Sequence, residues 1–583
     1  MMEVLARTGA IRVLDRLGIK APLGRLWRLA LHPGSISESV DLSLDYLLSR
    51  WRYRFLAESV PATTPVRRAL VADLGVTPVG FMKTEAMLAK ALQMRGLDPV
   101  ILTRRSAAWK LRYFRLFGLD ACEYFDDETP EPPRAVQAEA GDLLAGAATR
   151  REVESLEFRG VRVGRHVLNT LAMDLRRGRL DPSDPETRGH IGRYLARAID
   201  AVLASERLLD RLRPDLLLLG EKGYLPFGPL FETAVNRGIP AITWNASQRP
   251  DALVFKRFCS RNSTAHYFTL SPETWAAARR MPWTDARQRE LDQEIARHYA
   301  EGIRFQGEPL QAGKSLKTAG EVRRLLGLDP SRKTAVVFSH ILWDGTLSYG
   351  HNLFDDYEEW LVETVRAACA NPRVNWIVKF HPANLWKSRQ TGHRGELWDR
   401  VAIRKGVGPL PSHVTLMDPD TEINTFSLFD VADYCVTVRG TIGIEMPCYG
   451  VRVFTGGAGR YSGLGFTEDS ATAQEYLSKL ARIQEFPRLA PAEVDLAKKH
   501  AYALFLGRPW RFESFQVRYM PLARAGHPLN PNVVVRLRTL RELQEARDLG
   551  AFADWASGST DADFMALSLA DPEPAPDLST LAP

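Results

Sequence analysis

Two doubly wound α/β sheets facing a central cleft are the fold class this sequence predicts. Three observations carry it: apolar strand-like runs alternate with helical runs from Ala69 to Trp244, a polar helix-prone stretch follows from Ser271 to about Pro330, and the alternation restarts from Thr334 to Thr455. The chain has 583 residues, 45% apolar and 25% charged, which is enough for two layered cores. A single small binding module and a wholly disordered chain are both excluded.

Residues 1–60 read as a helical N-terminal extension. Within its first thirty residues Leu5, Ile11, Leu14, Leu17, Leu23 and Leu26 alternate with Arg7, Arg12, Arg16, Lys20, Arg25 and Arg28. That pattern suits an amphipathic helix packed on its own domain, or peripheral contact with an anionic bilayer. The first α/β unit, 61–270, opens with a strand at Ala69–Asp73, a helix from Lys83 to Arg95 and a strand at Pro99–Thr103. A helix-rich stretch from about Gly141 to Arg211 precedes Asp215–Gly220, whose near-continuous apolar character fits a parallel strand covered on both faces. A helix from about Phe227 to Arg237 and a strand at Ala241–Trp244 complete the unit.

A helical connector at 271–330 leads to the second unit, 331–510. Its strands are expected at Thr334–Ser339, Val374–Phe380, Val414–Met417, Asp433–Val438 and Arg452–Thr455, with helices at Asp355–Ala370 and Ile442–Tyr449. A helical segment at 511–556 and an acidic, Pro-bearing, disordered tail at 557–583 are expected to follow.

The charge balance, 77 Lys and Arg against 70 Asp and Glu, gives +7, too dilute for a duplex-binding face, so no nucleic-acid partner is expected. Five scattered cysteines without a C-x-x-C pair suggest neither a zinc knuckle nor a disulfide framework. With no long apolar run and no secretory-type start, a cytoplasmic protein is expected, with the inner face of the membrane as a peripheral option.

Ligands of open α/β sheets collect beyond the carboxyl ends of the strands, which singles out four segments of the second unit. Lys379-Phe380-His381-Pro382 would set an imidazole donor beside a helix start, a setting for a phosphate oxygen or for an ordinary loop hydrogen bond. In Arg439-Gly440-Thr441-Ile442-Gly443-Ile444-Glu445 small residues would admit a phosphate, and Glu445 would accept ribose hydroxyls or simply complement the helix dipole. Gly456 to Gly465 fails the dinucleotide fingerprint and reads as a cleft loop. Ser339-His340-Ile341-Leu342-Trp343-Asp344 offers polar groups for a sugar or for catalysis. In the first unit Glu221 and Asp251 follow strands that face the same cleft. With Asp344 they are the candidate catalytic carboxylates, as base or nucleophile. Asp418-Pro419-Asp420 is weak as a metal site, and none is expected; H-E-x-x-H, P-loop and G-x-S-x-G motifs are absent.

Taken in order, Trp376-Ile377-Val378-Lys379-Phe380-His381-Pro382, Asp433 to Arg439, Thr441-Ile442-Gly443-Ile444-Glu445, Gly450-Val451-Arg452-Val453 and Tyr461 to Thr467 resemble the carboxyl-terminal domain of capsule polysaccharide biosynthesis proteins. These are bacterial glycosyltransferases of the two-Rossmann-domain GT-B type, and the Lys-x-His-Pro element is also similar to that of polysialyltransferases, Kdo transferases and teichoic-acid glycerophosphotransferases. The likeness covers roughly residues 334–470. It implies a metal-independent transferase without a bound cofactor, moving sugar from a nucleotide donor, CMP-sugars foremost, to a surface glycan or lipid-linked acceptor. By it His381, Thr441, Gly443 and Glu445 would hold the nucleotide; Lys379 and Arg439, the latter standing where relatives often show a serine, join them as cations to meet its negative charge. A CDP-alditol phosphotransferase, a nucleotide-sugar 2-epimerase and a non-catalytic assembly protein are the alternatives.

Overall fold

A computed structural model describes residues 44–57, 67–75, 79–125, 132–300, 310–390, 395–520 and 530–569. The basic run within residues 1–30 and the end of the acidic tail lie outside these. The strands in chain order are β1 (Arg67–Ala72), β2 (Leu97–Thr103), β3 (Cys122–Tyr124), β4 (Leu216–Leu219), β5 (Ala241–Ala246) and β6 (Ala252–Phe258), followed by β7 (Lys333–Phe338), β8 (Val374–Lys379), β9 (Val414–Met417), β10 (Tyr434–Thr437) and β11 (Arg452–Thr455), and finally β12 (Trp510–Arg511), β13 (Phe515–Met520) and β14 (Asn530–Val535).

The first sheet runs β12-β6-β5-β4-β1-β2-β3. Strands β3 to β5 are parallel in the doubly wound 3-2-1-4-5 order, and β6 and β12 add antiparallel edges. The second sheet, β11-β10-β7-β8-β9, is wholly parallel and repeats that order from its own first strand. Each sheet therefore reverses direction once, between β1 and β4 and between β7 and β10. Loops leaving strands on either side of such a reversal diverge and open a crevice. All four residues of β4 are buried, as expected for a strand covered by helices on both faces.

The helix Pro185–Leu212 starts where Asp184 accepts the N–H of Thr187 at 2.9 Å and proline occupies the first turn, a cap worth about 1 kcal/mol. Together with Val163–Leu175 it shares one apolar core with the second sheet, so these helices join the two lobes. Polar ties reinforce the junction: Leu347 N–H donates to Asn169 Oδ1 at 3.0 Å, and Asn169 Nδ2 donates to Ser348 at 2.6 Å.

The region after residue 510 departs from expectation. Residues 511–556 hold the antiparallel hairpin β13–β14 besides the helices Leu540–Glu545 and Arg547–Gly558. Residues 559–569, expected as disordered tail, return to the first lobe, where the buried Asp563 pairs with Lys256 at 2.6 Å and with Arg508 at 3.4 Å. Two buried cations from distant segments draw in an acidic chain that local composition alone reads as solvated.

Candidate active site at the switch point of the second sheet

The loops leaving β7, β8 and β10 enclose a cavity of about 240 Å³ at the reversal of the second sheet. Ser339 and His340 come from the first loop, Lys379, His381 and Pro382 from the second, and Arg439, Gly440 and Thr441 from the third. Arg460, Glu445 and Phe338 add to the wall, and the connector contributes His298 and Tyr299.

Lys379 is buried, its ammonium 5.8 Å from the centre of the Phe338 ring. Desolvation, with Lys314 adding repulsion, brings its pKa down to about 7. Arg439 is also buried. One guanidinium nitrogen donates to Asn352, while its Nε and Nη1 are enclosed without a hydrogen-bond partner among the described residues. Its guanidinium lies 5.7 Å from the Tyr357 ring centre. Among the described residues no carboxylate pairs with Lys379 or Arg439.

At His381 the Ala383 N–H donates to Nδ1 at 3.2 Å, which leaves the hydrogen on Nε2. The His381 N–H donates to Ser339 Oγ at 3.0 Å, and that hydroxyl donates to Asp399 at 2.7 Å. Asn384 donates to the other oxygen of Asp399 at 2.8 Å, so this buried carboxyl braces both sides of the Lys-x-His-Pro turn. His340 works differently. Its Nε2 accepts the Val438 N–H at 3.1 Å, its ring stacks on Tyr357 at 4.6 Å, and burial with Arg439 and Arg460 nearby holds its pKa near 3. It is a neutral acceptor that pins the end of β10.

Thr441 does not cap the helix Ile442–Glu445; its hydroxyl instead accepts from Arg460 at 2.8 Å. Gly443 lies outside the cavity wall. A side chain there would meet Tyr461 Oη at 2.2 Å, so glycine makes room for a buried tyrosine that donates to Gly440 O at 3.0 Å. Glu445 does line the cavity, with its carboxylate held by Tyr299 Oη and by His298 Nδ1 at 3.0 Å. His298 Nε2 faces Glu294 at 3.2 Å; burial opposes the charged ring, but the two carboxylates outweigh it and raise the pKa.

The three carboxylates expected as catalytic stand apart from the cavity wall. Glu221 accepts the N–H groups of Lys222 and Gly223 at 2.6 and 2.5 Å and the Tyr267 hydroxyl at 2.8 Å, and burial raises its pKa. Asp251 is bound to Arg511 at 2.9 Å and Arg249 at 3.3 Å. Asp344 accepts from Tyr224 of the first lobe at 2.6 Å and is ion-paired with Lys387. Desolvation works against its charge, yet Lys387, Tyr224 and His381 together lower its pKa. Its side chain keeps 37% of its surface exposed.

Asp399, Asn384, His298 and Tyr299 had no signal of their own in the sequence, since only packing brings them beneath or across the cavity. The buried pair Asp73–Lys110, at 2.7 Å, likewise occupies the reversal of the first sheet unannounced. Asp418 is ion-paired with Arg400 at 2.5 Å, and among the described residues no group of three or more His, Cys, Asp or Glu could hold a metal ion. Nor is any described helix long and apolar enough to cross a membrane.

No family model matches this chain, and no curated protein matches it. Solved structures do. Thermosulfurimonas dismutans KpsC, beta Kdo 2,4 transferase, is 16% identical over 54% of this chain and 84% of its own, with a TM-score of 0.29. The UDP-GlcNAc 2-epimerase from Neisseria meningitidis bound to UDP-GlcNAc is 11% identical over 75% of this chain and 99% of its own, at 0.25. CalG4, the calicheamicin glycosyltransferase, is 13% identical over 76% and 94%, also at 0.25. The doubly wound architecture rests on the strand orders above, and these likenesses add nothing about substrate.

Proposed function

We propose that this chain is a glycosyltransferase that binds a nucleotide-activated sugar at the reversal of its second sheet and passes the sugar to an acceptor entering between the lobes. One observation supports it above the others: Lys379 and Arg439 are buried at that cavity with no carboxylate among the described residues to balance them. A buried cation without a counter-charge costs several kcal/mol, and a phosphate or diphosphate offsets that cost with bidentate and charge-assisted bonds. Nε2 of His381, carrying the hydrogen, adds a donor of the kind a departing phosphate oxygen needs.

In this reading the chain's own cations stabilise the leaving nucleotide as negative charge builds on it. Glu445, polarised by His298 and Tyr299, keeps lone pairs for the hydroxyls of a ribose. Of the three candidate carboxylates, Asp344 is the one we assign to the acceptor side. It is ionised, partly exposed and close to His381. Glu221 and Asp251 serve their local hydrogen bonds and ion pairs instead. CMP-sugars are the favoured donors on the motif resemblance.

Thermal shift against CMP, CDP, UDP, GDP and dTDP tests the binding step. A ligand at about a hundred times its Kd stabilises the folded form by about 2.7 kcal/mol. One nucleotide should raise the melting temperature, and Lys379→Ala and Arg439→Ala should lose that rise while keeping a cooperative transition. Retention of the full shift in both variants would place the phosphate elsewhere. Turnover of the matching sugar donor with and without a glycan acceptor then separates transfer from epimerisation, which yields product with no acceptor, and alditol-phosphate transfer, which releases CMP from a CDP donor.

A further inference from the structure

The helix at 44–52 presents Leu44, Leu47, Leu48 and Trp51 at i, i+3, i+4 and i+7, a single apolar stripe. These side chains are 54, 60, 59 and 83% exposed. The helix is nevertheless seated, because its other face buries Ser49, packs Tyr46 edge-on against Tyr113 at 5.5 Å and pairs Asp45 with Lys83 at 2.9 Å. Trp109, 45% exposed, is linked to the same helix through Arg112, whose guanidinium lies 5.0 Å from the Tyr46 ring and 5.8 Å from the Trp109 ring. Five of the eight large exposed hydrophobic residues among those described are therefore gathered here. Exposed Arg50, Arg52 and Arg54 stand beside them, while the one carboxylate of the helix is spent on Lys83.

We propose that this stripe, with Trp109 and the surrounding arginines, docks the protein onto an anionic lipid surface. Apolar side chains flanked by cations complement both layers of such a membrane: leucine and tryptophan enter the headgroup boundary while guanidinium groups stay at the phosphates. A second copy is the poorer occupant, since a self-complementary contact would bring two arginine rims together. The segment leading into the helix fits the same partner, for its first thirty residues carry six basic side chains against two acidic ones. Like charge makes that segment a poor cover for the arginine-rimmed stripe and a good companion to it on anionic lipid.

Co-sedimentation of the full chain with phosphatidylcholine vesicles, with and without about one third phosphatidylglycerol, tests this. Binding should require the anionic lipid and weaken as salt rises through the range where the screening length falls below about 10 Å. Leu47→Glu/Trp51→Glu should cut the bound fraction about tenfold while leaving the melting temperature unchanged, because both side chains stand in solvent. Arg50→Glu/Arg52→Glu should remove the dependence on anionic lipid. Equal binding to neutral vesicles, or none to either, overturns the proposal. So does a concentration-dependent dimer by light scattering that Leu47→Glu/Trp51→Glu abolishes, which would give the stripe to a second copy. Binding that survives both double variants but is lost on deleting residues 1–43 would move the contact to that segment and equally refute it.

Discussion

Burial strips Lys379 of water without a carboxylate among the described residues to pair with it, and its pKa falls to about 7. Near neutral pH the side chain is thus close to half protonated, and an arriving phosphate must raise its pKa by favouring the charged form. Nucleotide binding should therefore take up a fraction of a proton at about pH 7.5 and weaken as pH rises. Calorimetry in buffers of differing ionisation enthalpy reads this directly. Lys379→Met should abolish the uptake, and a wild type that binds nucleotide with none would remove the ammonium from the phosphate site. Asp399 links folding to pH with the same sign. Burial raises its pKa to about 6 from an ordinary 3.8, so the folded state holds a proton that the unfolded state releases. Its contribution is full below about pH 4 and lost as pH rises through about 6, a swing on the order of 3 kcal/mol. Asp399→Asn should flatten that part of the stability profile relative to wild type, and an identical slope in both would show the carboxyl to be ionised throughout. Lys379 and His381 were legible in the sequence because a lysine and a histidine close an apolar strand. Asp399 was not, because Trp398–Gly406 reads as an ordinary amphipathic helix and only packing sets the carboxyl beneath Ser339.

The turn after β10 shows how an element depends on a contact that local pattern does not reveal. Glycine at 443 looked like room for a phosphate, whereas its missing side chain admits the buried Tyr461 ring. Gly443→Ala should force that ring aside, costing about 1–3 kcal/mol as overpacking and displacing the hydrogen bond to Gly440 O. A lower melting temperature with a weaker nucleotide shift is the expected pair of results, and a variant that loses neither would free the turn from Tyr461. The parallel strands were readable because burial on both faces demands continuous apolar runs, as in Leu216–Leu219 and Ala335–Phe338. Strand β6 has a weak sequence signal because Lys256 and Arg257 interrupt its apolar run, and nothing nearby in sequence says that Lys256 is neutralised from residue 563. The hairpin β13–β14 did carry a signal, the period-two spacing of Phe515, Val517 and Tyr519 against Val533 and Val535, inside a region expected to be helical.

At the scale of the whole molecule, two doubly wound sheets follow from counting strand-helix units, but the path after residue 510 does not. After the second sheet the chain recrosses to the first lobe, adds β12 antiparallel to β6 and lays Arg547–Gly558 against the helix Val79–Gln93. The first lobe is therefore closed by residues remote from it in sequence, and Asp563 is the charge that fastens them. Its carboxylate meets Lys256 and Arg508, both fully enclosed, and also accepts the Ser271 N–H at 2.6 Å. Burial opposes ionisation of Asp563, yet Arg508 and Lys256 outweigh it and depress the pKa, so this stabilisation is present above the ordinary carboxylate range and lost as pH falls through the depressed value. Asp563→Asn should leave two buried cations uncompensated and cost about 3–5 kcal/mol. Because the carboxylate acts on β6 and its neighbours, the loss should be local: hydrogen exchange should quicken in β5, β6 and β12 while β7 and β8 keep their protection. Equal quickening of both sheets would mean that the lobes unfold as one unit, and unchanged exchange in β6 would mean that Lys256 is neutral in the folded chain and has no need of the returning segment.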